Sequence, residues 1–189
     1  MIERPILFSA PMVRAIIDGT KTQTRRVYKP LRPAPYEHIE DGSVWEMDEC
    51  GEYVMRQCPL GTIGDRLWVR EAFYECVNNN DCIRYAADGP APTSDTRIYR
   101  KRPSIHMLRR DSRLTIEITG IRVERLRDIS EEDARAEGVG VHGGWNADET
   151  ECGVNARGPF SRLWDSINAK RHPWASNPWV WVVEFRRAE

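Results

Sequence analysis

The chain has 189 residues, of which 40% are hydrophobic, and its 28 basic and 29 acidic side chains nearly cancel. This length fits one domain with a sizeable core, and the charge balance argues against a protein that coats nucleic acid through net charge alone. No apolar run approaches the roughly 20 residues that a membrane helix needs, and the N-terminus lacks the order of a signal peptide. We therefore predict one domain over residues 1–189, no membrane partner and a cytoplasmic location.

Cysteine and histidine spacing gives no metal motif. The five cysteines contain no C-x-x-C pair, and the four histidines are scattered along the chain. We therefore predict free thiols, no disulfide, no metal and no other cofactor, while a metal site assembled only in the fold stays open.

The first predicted elements are a helix and the strand that follows it. Apolar residues recur at helical spacing over residues 12–17, and Gly19 stands where a helix commonly ends in a left-handed residue. The helix should therefore stop at Asp18. Residues 21–28 are rich in threonine and precede Pro30, which predicts a strand that begins with a polar cluster.

This polar cluster contains Lys21, Thr24, Arg25 and Arg26, and it has two interpretations. If burial lowers the lysine pKa from about 10.4 toward neutrality, Lys21 can take the hydroxyl proton of Thr24 and make the threonine a nucleophile. In the alternative interpretation, Lys21, Arg25 and Arg26 form a solvated strand edge. The pattern alone leaves both open.

The middle of the chain alternates between loops and short strands. Residues 29–35 are a proline-rich connection, and residues 37–60 are predicted to form a loop or an irregular hairpin. The turn at Gly64 and Asp65 then starts a strand that places Leu67 and Val69 on one face. Residues 83–87 are a further short strand candidate.

The second half reads as a sheet ladder followed by two helices and a final strand. Leu114, Ile116 and Ile118 alternate with polar residues, and a second short run covers residues 121–126. Ser130 has the position of an N-cap for a two-turn helix that ends at Gly138. A loop over residues 139–156, a third helix from residue 159 and a strand over residues 179–186 complete the chain. Strands with two or three short helices and no βαβ rhythm predict an α+β fold, either a small barrel or an open sheet.

Basic residues concentrate in one segment. Residues 97–113 contain seven basic residues and one acid. Such a segment can form a basic face that holds a nucleic-acid backbone, and the alternative is a solvated loop. The candidate nucleic-acid-binding residues are Arg100, Lys101, Arg102, Arg109 and Arg110.

Several of these motifs together resemble the ASCH superfamily. The resemblance rests on Lys-Thr-x-Thr-x-Arg at residues 21–26, the strand after Gly64, the short helix over residues 130–138 and the tryptophan-rich end strand. It covers residues 5–186 and is most similar to the larger branch found in phages and prophages. It implies a PUA-like small β-barrel with two or three short flanking helices and loop insertions near residues 29–63, 88–104 and 139–156.

One group of small ASCH proteins consists of 4-acetylcytidine amidohydrolases that use a lysine, a threonine and a glutamate. The resemblance implies these catalytic roles for Lys21, Thr24 and Glu137. A slip in the alignment would move the acid to a neighbour, which is Glu131, Glu132 or Asp133. The implied substrate-binding residues are Arg26, Thr22, Trp68 and Arg70.

Other ASCH proteins resemble ribonucleases or RNA-binding modules. The resemblance therefore implies a hydrolase directed at a nucleoside or RNA, with removal of an acetyl group from 4-acetylcytidine as the leading activity. The alternatives are a ribonuclease and a non-catalytic RNA-binding module that uses the same cleft. The expected partner is a modified nucleoside or single-stranded RNA.

Overall fold

A computed structural model describes residues 1–30, 38–40, 43–77, 82–91, 98–139 and 156–188, and residues 38–40 by their backbone alone. Its strands are β1 (Glu3–Leu7), β2 (Gln23–Val27), β3 (His38–Glu40), β4 (Ser43–Met47), β5 (Tyr53–Gln57), β6 (Arg66–Arg70), β7 (Phe73–Cys76), β8 (Ile83–Tyr85), β9 (Tyr99–Arg102), β10 (Thr115–Arg125) and β11 (Trp179–Arg187). Its α-helices are α1 (Ala10–Ile17), α2 (Glu131–Ala136) and α3 (Arg157–Asn168).

The main sheet has five strands in the order β1-β6-β10-β11-β2, and β1 runs parallel to β6 while the other pairs are antiparallel. Two three-stranded sheets, β3-β4-β5 and β8-β7-β9, accompany it. The predicted α+β class is confirmed. Among the described residues, no backbone ladder joins the two edge strands of the main sheet, β1 and β2. A side chain bridges them, since Arg26 Nη2 on β2 donates to the Leu7 carbonyl on β1 at 3.3 Å. The main sheet is therefore curled, with a gap between its edges.

Strand β11 is buried on both faces and organises the core. Trp181, Val183 and Phe185, which alternate along the strand, pack into the cluster beneath the curled sheet. The opposite face, with Val180 and Val182, packs against α3. Strand β11 therefore joins the two halves of the core. Burial of each of its large apolar side chains contributes about 1.5–3 kcal/mol to stability.

Helices α1 and α3 and strand β10 occur close to their predicted bounds. Helix α1 is followed by Asp18 as its C-cap and by Gly19 at φ 75°. Strand β10 is one continuous strand with a register shift between Ile118 and Gly120, where the sequence predicts two runs. Helix α3 begins at Arg157, two residues before the predicted start, because Pro159 lies within its first turn, where a missing amide proton costs nothing.

The prediction of a loop or irregular hairpin over residues 37–60 is wrong in part, because β3, β4 and β5 form a regular antiparallel sheet there. Val44 and Glu46 on β4 are both buried, with 0% and 1% of their surface exposed. Pattern-based prediction misses this strand because a glutamate occupies an inward position. Parts of all three predicted insertions, at residues 31–37, 41–42, 92–97 and 140–155, lie outside the described residues.

Within the described ranges no helix is long and apolar enough to cross a membrane. In that same part of the chain, no three metal-ligating side chains form a cluster. Cys50, Cys58, Cys76 and Cys82 are free thiols, whereas Cys152 lies outside the described residues.

Asp65 connects the start of the chain to β6. Its Oδ1 accepts a hydrogen bond from the Ile2 amide at 2.8 Å, and its Oδ2 accepts from Arg4 Nη1 at 2.9 Å and from the Thr62 amide at 3.2 Å. The bond from the Ile2 amide, followed by that from Thr62, lowers the pKa of Asp65 to about 2. This carboxylate therefore anchors edge strand β1 beside β6.

The lowered pKa makes a prediction about acid stability. Because the Asp65 pKa is 3.8 unperturbed and about 2 in the folded chain, its stabilising effect is complete above the first value and is lost as pH falls through the second. Asp65→Asn should lower the free energy of unfolding at neutral pH and weaken its dependence on pH across this window. Urea denaturation at several pH values measures both, with exposed Asp128→Asn as the control. Equal stability of Asp65→Asn and the unsubstituted chain would contradict the anchor.

Candidate active site

Lys21 lies in a bend between α1 and β2, not in the strand that the sequence predicts over residues 21–28. The amides of Thr20 and Lys21 both donate to the Ala15 carbonyl at 2.9 Å, which folds the chain back over the end of α1. Lys21 then forms an isolated antiparallel bridge with Glu137, and β2 begins only at Gln23. The bend turns the lysine away from the ordinary alternation of β2.

The Lys21 amine is enclosed by acceptors. Its Nζ donates to the Gln23 carbonyl at 2.7 Å, to the Glu137 carbonyl at 2.9 Å and to Glu137 Oε2 at 2.7 Å. An ammonium has three N–H groups, so all of its donors are used. Only 1% of the residue is exposed, and this burial lowers the pKa of Lys21, with the Glu137 carboxylate acting in the opposite direction.

Helix α2 positions Glu137. Ser130 caps this helix by accepting a hydrogen bond from the Asp133 amide at 3.0 Å, as its sequence position predicts. Glu137 follows the helix as its C-cap and has 4% of its surface exposed. Of the four acids that the sequence offers, Glu137 is the one that bonds Lys21. Glu131 instead accepts from the Ala156 amide at 2.5 Å, and Glu132 is exposed.

Thr24 and Arg26 form the second part of the site. Arg26 Nη1 donates to Thr24 Oγ1 at 2.5 Å and to the Arg25 carbonyl at 2.9 Å. No hydrogen bond joins Lys21 to Thr24, and within the described ranges the Thr24 hydroxyl proton has no acceptor. Arg26 contacts no carboxylate in that part of the chain, and burial lowers its pKa. The threonine oxygen is therefore held next to a half-buried positive charge.

A cavity of about 610 Å³ brings these residues together. It lies between the two edges of the curled sheet and helix α3, with a polar wall from Thr24, Arg25, Arg26 and Glu137. Its apolar lining includes Met12, Phe160, Leu163, Trp164 and Ile167. This size falls within the range of about 300–1,000 Å³ that is usual for small-molecule sites. Lys21 lies behind this lining and contacts it through Glu137.

The remaining predicted substrate-binding residues divide into two groups. Arg70 lines the cavity, and its guanidinium lies 5.4 Å from the Trp68 ring and donates to the carbonyls of Ser104 and Ile105. Trp68 and Thr22 are not among the lining residues. Thr22 is exposed and joins the site through its backbone, whose amide donates to the Ala136 carbonyl at 2.8 Å.

Most arginines of the predicted basic segment have acidic partners. Glu75 lies 3.3 Å from Arg100 and 3.6 Å from Arg102, while Glu3 lies 2.9 Å from Arg109. Arg110 lies 3.7 Å from Asp111, Lys101 is exposed on β9, and Arg97 is outside the described residues. The partners from β1 and β7 reduce the surplus positive charge that the linear sequence indicates.

Sequence reasoning missed the role of Arg25, which it considered only as part of a solvated edge. The residue has 3% of its surface exposed and forms ion pairs with Glu124, Asp133 and Glu137. The sequence carried only a weak signal for these ion pairs. Two of the three acids, Asp133 and Glu137, lie in or directly after α2, whose N-cap and end the sequence predicted. Nothing in the linear pattern assigns them to Arg25.

No protein-family model and no curated protein matches the sequence. Among solved structures, the chain is similar to the ASCH domain from Lactobacillus crispatus JV V101, with a TM-score of 0.45 and 12% identity, over 98% of this chain and 79% of that chain. The chain resembles an ASCH domain. The phage-type branch stays a prediction.

Gly138 permits the close approach of α1, α2 and Lys21, and this makes a prediction. It has φ 83°, and a Cβ there would lie 2.9 Å from Ala15 Cβ and 3.0 Å from Lys21 Cβ. Gly64, at φ 88°, has nothing within 4 Å of such an atom. Both alanine variants pay about 1–2 kcal/mol for the left-handed conformation. Gly138→Ala should lower the free energy of unfolding by about 1–3 kcal/mol more than Gly64→Ala, by overpacking. Equal losses in urea denaturation would contradict the close approach.

Proposed function

We propose that this cavity is the active site of an amidohydrolase that removes the acetyl group from 4-acetylcytidine. The observation that supports this most is the buried ion pair of Lys21 and Glu137 behind a cavity that Thr24 and Arg26 also line. A buried lysine with a lowered pKa, a neighbouring acid and a hydroxyl are the groups that acyl transfer needs. The substrate is inferred from the resemblance to ASCH amidohydrolases.

The proposed reaction begins when the ion pair moves its proton from Lys21 Nζ to Glu137 Oε2 across their 2.7 Å contact, which leaves a carboxyl on Glu137 and a lone pair on Lys21. Thr24 Oγ1 attacks the acetyl carbonyl carbon, and its proton passes to Lys21, directly once substrate tightens the site or through one water. The Glu137 carboxyl then protonates the cytosine amine as the C–N bond breaks. An acetyl ester on Thr24 and a charged ion pair remain.

Hydrolysis of the ester restores the starting state. Water attacks the ester carbonyl and gives one proton to the Glu137 carboxylate. The Thr24 oxygen recovers its proton from the Lys21 ammonium as the C–O bond breaks, and acetic acid leaves. Every proton returns to the group that held it, so the cycle needs no cofactor.

Arg26 stabilises charge in both steps. Three of its five N–H groups bond Thr24, the Arg25 carbonyl and the Leu7 carbonyl, which leaves two for an oxyanion in the cavity. A fixed positive charge of this kind acts where negative charge develops during the reaction. Loss of one oxyanion donor in other enzymes costs about 100- to 1,000-fold in rate.

The burial of Lys21 favours catalysis over a binding module in which this lysine holds a phosphate. All three of its N–H groups have acceptors within the chain, and 1% of the residue is exposed. A phosphate contact would break bonds that are already made. Ribonuclease action is the second catalytic candidate, because the same pair can take a proton from a ribose hydroxyl. Incubation with 4-acetylcytidine and with single-stranded RNA, with products resolved by mass, distinguishes the two.

Substitutions within the pair test the proposal directly. Lys21→Arg and Thr24→Ala should each lower kcat for acetate release by about 100- to 10,000-fold, because a guanidinium stays protonated and alanine has no hydroxyl. The double variant should be scarcely slower than either single variant, since the two residues act as a unit.

The controls are Lys29→Arg and Thr119→Val, which alter an exposed lysine and an exposed threonine. Both should keep the activity of the unsubstituted chain. Full activity of Lys21→Arg would show that the lysine supplies charge and no proton transfer. Absence of acetate release from the unsubstituted protein would overturn the amidohydrolase assignment.

A further inference from the structure

Arg25 completes the environment of the Glu137 carboxylate. Each carboxylate oxygen bonds a different cation: Oε2 accepts from Lys21 Nζ at 2.7 Å, and Oε1 accepts from Arg25 Nη1 at 3.1 Å. Glu137 and Arg25 both line the cavity. The carboxyl group is therefore fixed from both sides and cannot rotate without breaking one of two charge-assisted bonds.

The Arg25 guanidinium is itself held by acids outside the cavity wall. Its Nε and Nη2 donate to Glu124 Oε1 at 3.1 and 2.7 Å, and Nη2 also donates to Asp133 Oδ2 at 3.1 Å. Gln23 accepts from Nη1 at 3.3 Å, and the Phe160 ring lies 5.7 Å away. These contacts leave the guanidinium one orientation, in which Nη1 points at Glu137.

The same acids are held in turn by a second arginine. Arg122 donates to Asp133 Oδ2 at 2.6 Å and to Glu124 Oε2 at 3.3 Å, and it also pairs with Glu184. No bond joins Arg122 to Glu137, so its link to the cavity runs through Arg25. Arg122 is therefore a suitable control for Arg25, because it belongs to the same network of charges but does not contact Glu137.

We propose that Arg25 is a positioning residue for the reaction, holding the Glu137 carboxyl so that one oxygen always faces Lys21 Nζ. The catalytic part of this inference rests on the proposed function. The other part, that Arg25 acts on Lys21 through Glu137 and through its own charge, does not depend on the substrate. The lysine is faced by Glu137 after α2, by Arg25 and Arg26 from β2, and by the Phe8 ring at 5.6 Å.

Two substitutions separate charge from geometry. Arg25→Gln removes a cation whose field lowers the Lys21 pKa, so the Lys21 pKa should rise. Arg25→Lys keeps the charge but has no planar fork to reach Glu124, Asp133 and Glu137 together. It should keep the Lys21 pKa near that of the unsubstituted chain and lower kcat by up to about 100-fold with KM little changed.

Lysine-selective ¹³C labelling measures the pKa without any substrate. The chain has four lysines, Lys21, Lys29, Lys101 and Lys170, so each spectrum contains four signals, and loss of one in Lys21→Arg assigns Lys21. Arg122→Gln is the control, and it should leave the Lys21 titration unchanged.

The outcomes distinguish this inference from the proposed function. An unchanged Lys21 titration in folded Arg25→Gln would overturn the positioning role, as would full kcat in Arg25→Lys. If Arg25→Gln does not fold, the kcat of Arg25→Lys still decides. If the unsubstituted protein releases no acetate but its Lys21 titration rises in Arg25→Gln, the link from Arg25 to Lys21 is supported and the amidohydrolase proposal fails.

Discussion

The hydrogen-bonded ion pair between Lys21 and Glu137 is the constraint on which the rest of the site depends. It joins the bend after α1 to the end of α2, two segments that lie more than a hundred positions apart in sequence. Charges removed from water cost several kcal/mol each unless they are paired, and loss of one partner of a buried pair commonly costs about 3–5 kcal/mol. An apolar pair would serve stability equally well. Under the proposed function, the buried pair also supplies proton transfer.

The fold supports the pair in two ways. Arg25 pairs with the Glu137 carboxylate and also with Glu124 and Asp133, and Arg122 pairs with Asp133 in turn, so no member of the network is buried alone. The curled main sheet leaves its edge strands unpaired with each other, and the gap between them is where the cavity lies. A fully closed ladder between β1 and β2 would occupy that gap. The gap between β1 and β2 and the buried network of charges therefore form the site together.

The sequence predicted those parts of this arrangement that local chemistry determines. Gly19 ends α1, Ser130 caps α2, and the alternation around Leu67 and Ile116 marks β6 and β10, because each signal depends on neighbours within a few residues. Glu137 was named as the acid only through the family resemblance. Its contact with Lys21 follows from the packing of α2 on the bend, which no local pattern encodes.

The failures have the same origin. Arg25 reads as a surface residue because its three acidic partners lie about a hundred positions away, and the segment after residue 97 reads as a basic face because Glu3 and Glu75 approach it only in the fold. The β4 strand was missed because buried Glu46 breaks the apolar alternation. Lys21 makes no hydrogen bond to Thr24, since the bend turns the lysine toward three other acceptors.

The central claim is that Lys21 is easily deprotonated inside the folded chain. The most direct measurement is the titration of the four lysine side chains of the unsubstituted protein, followed by their ¹³C signals between neutral and alkaline pH. An ordinary exposed lysine side chain has a pKa of about 10.4. Lys21 should lose its proton at a lower pH, because burial disfavours the ammonium more than Glu137 favours it. A Lys21 signal that titrates at or above that ordinary value would show a permanently charged structural ion pair and would contradict the account.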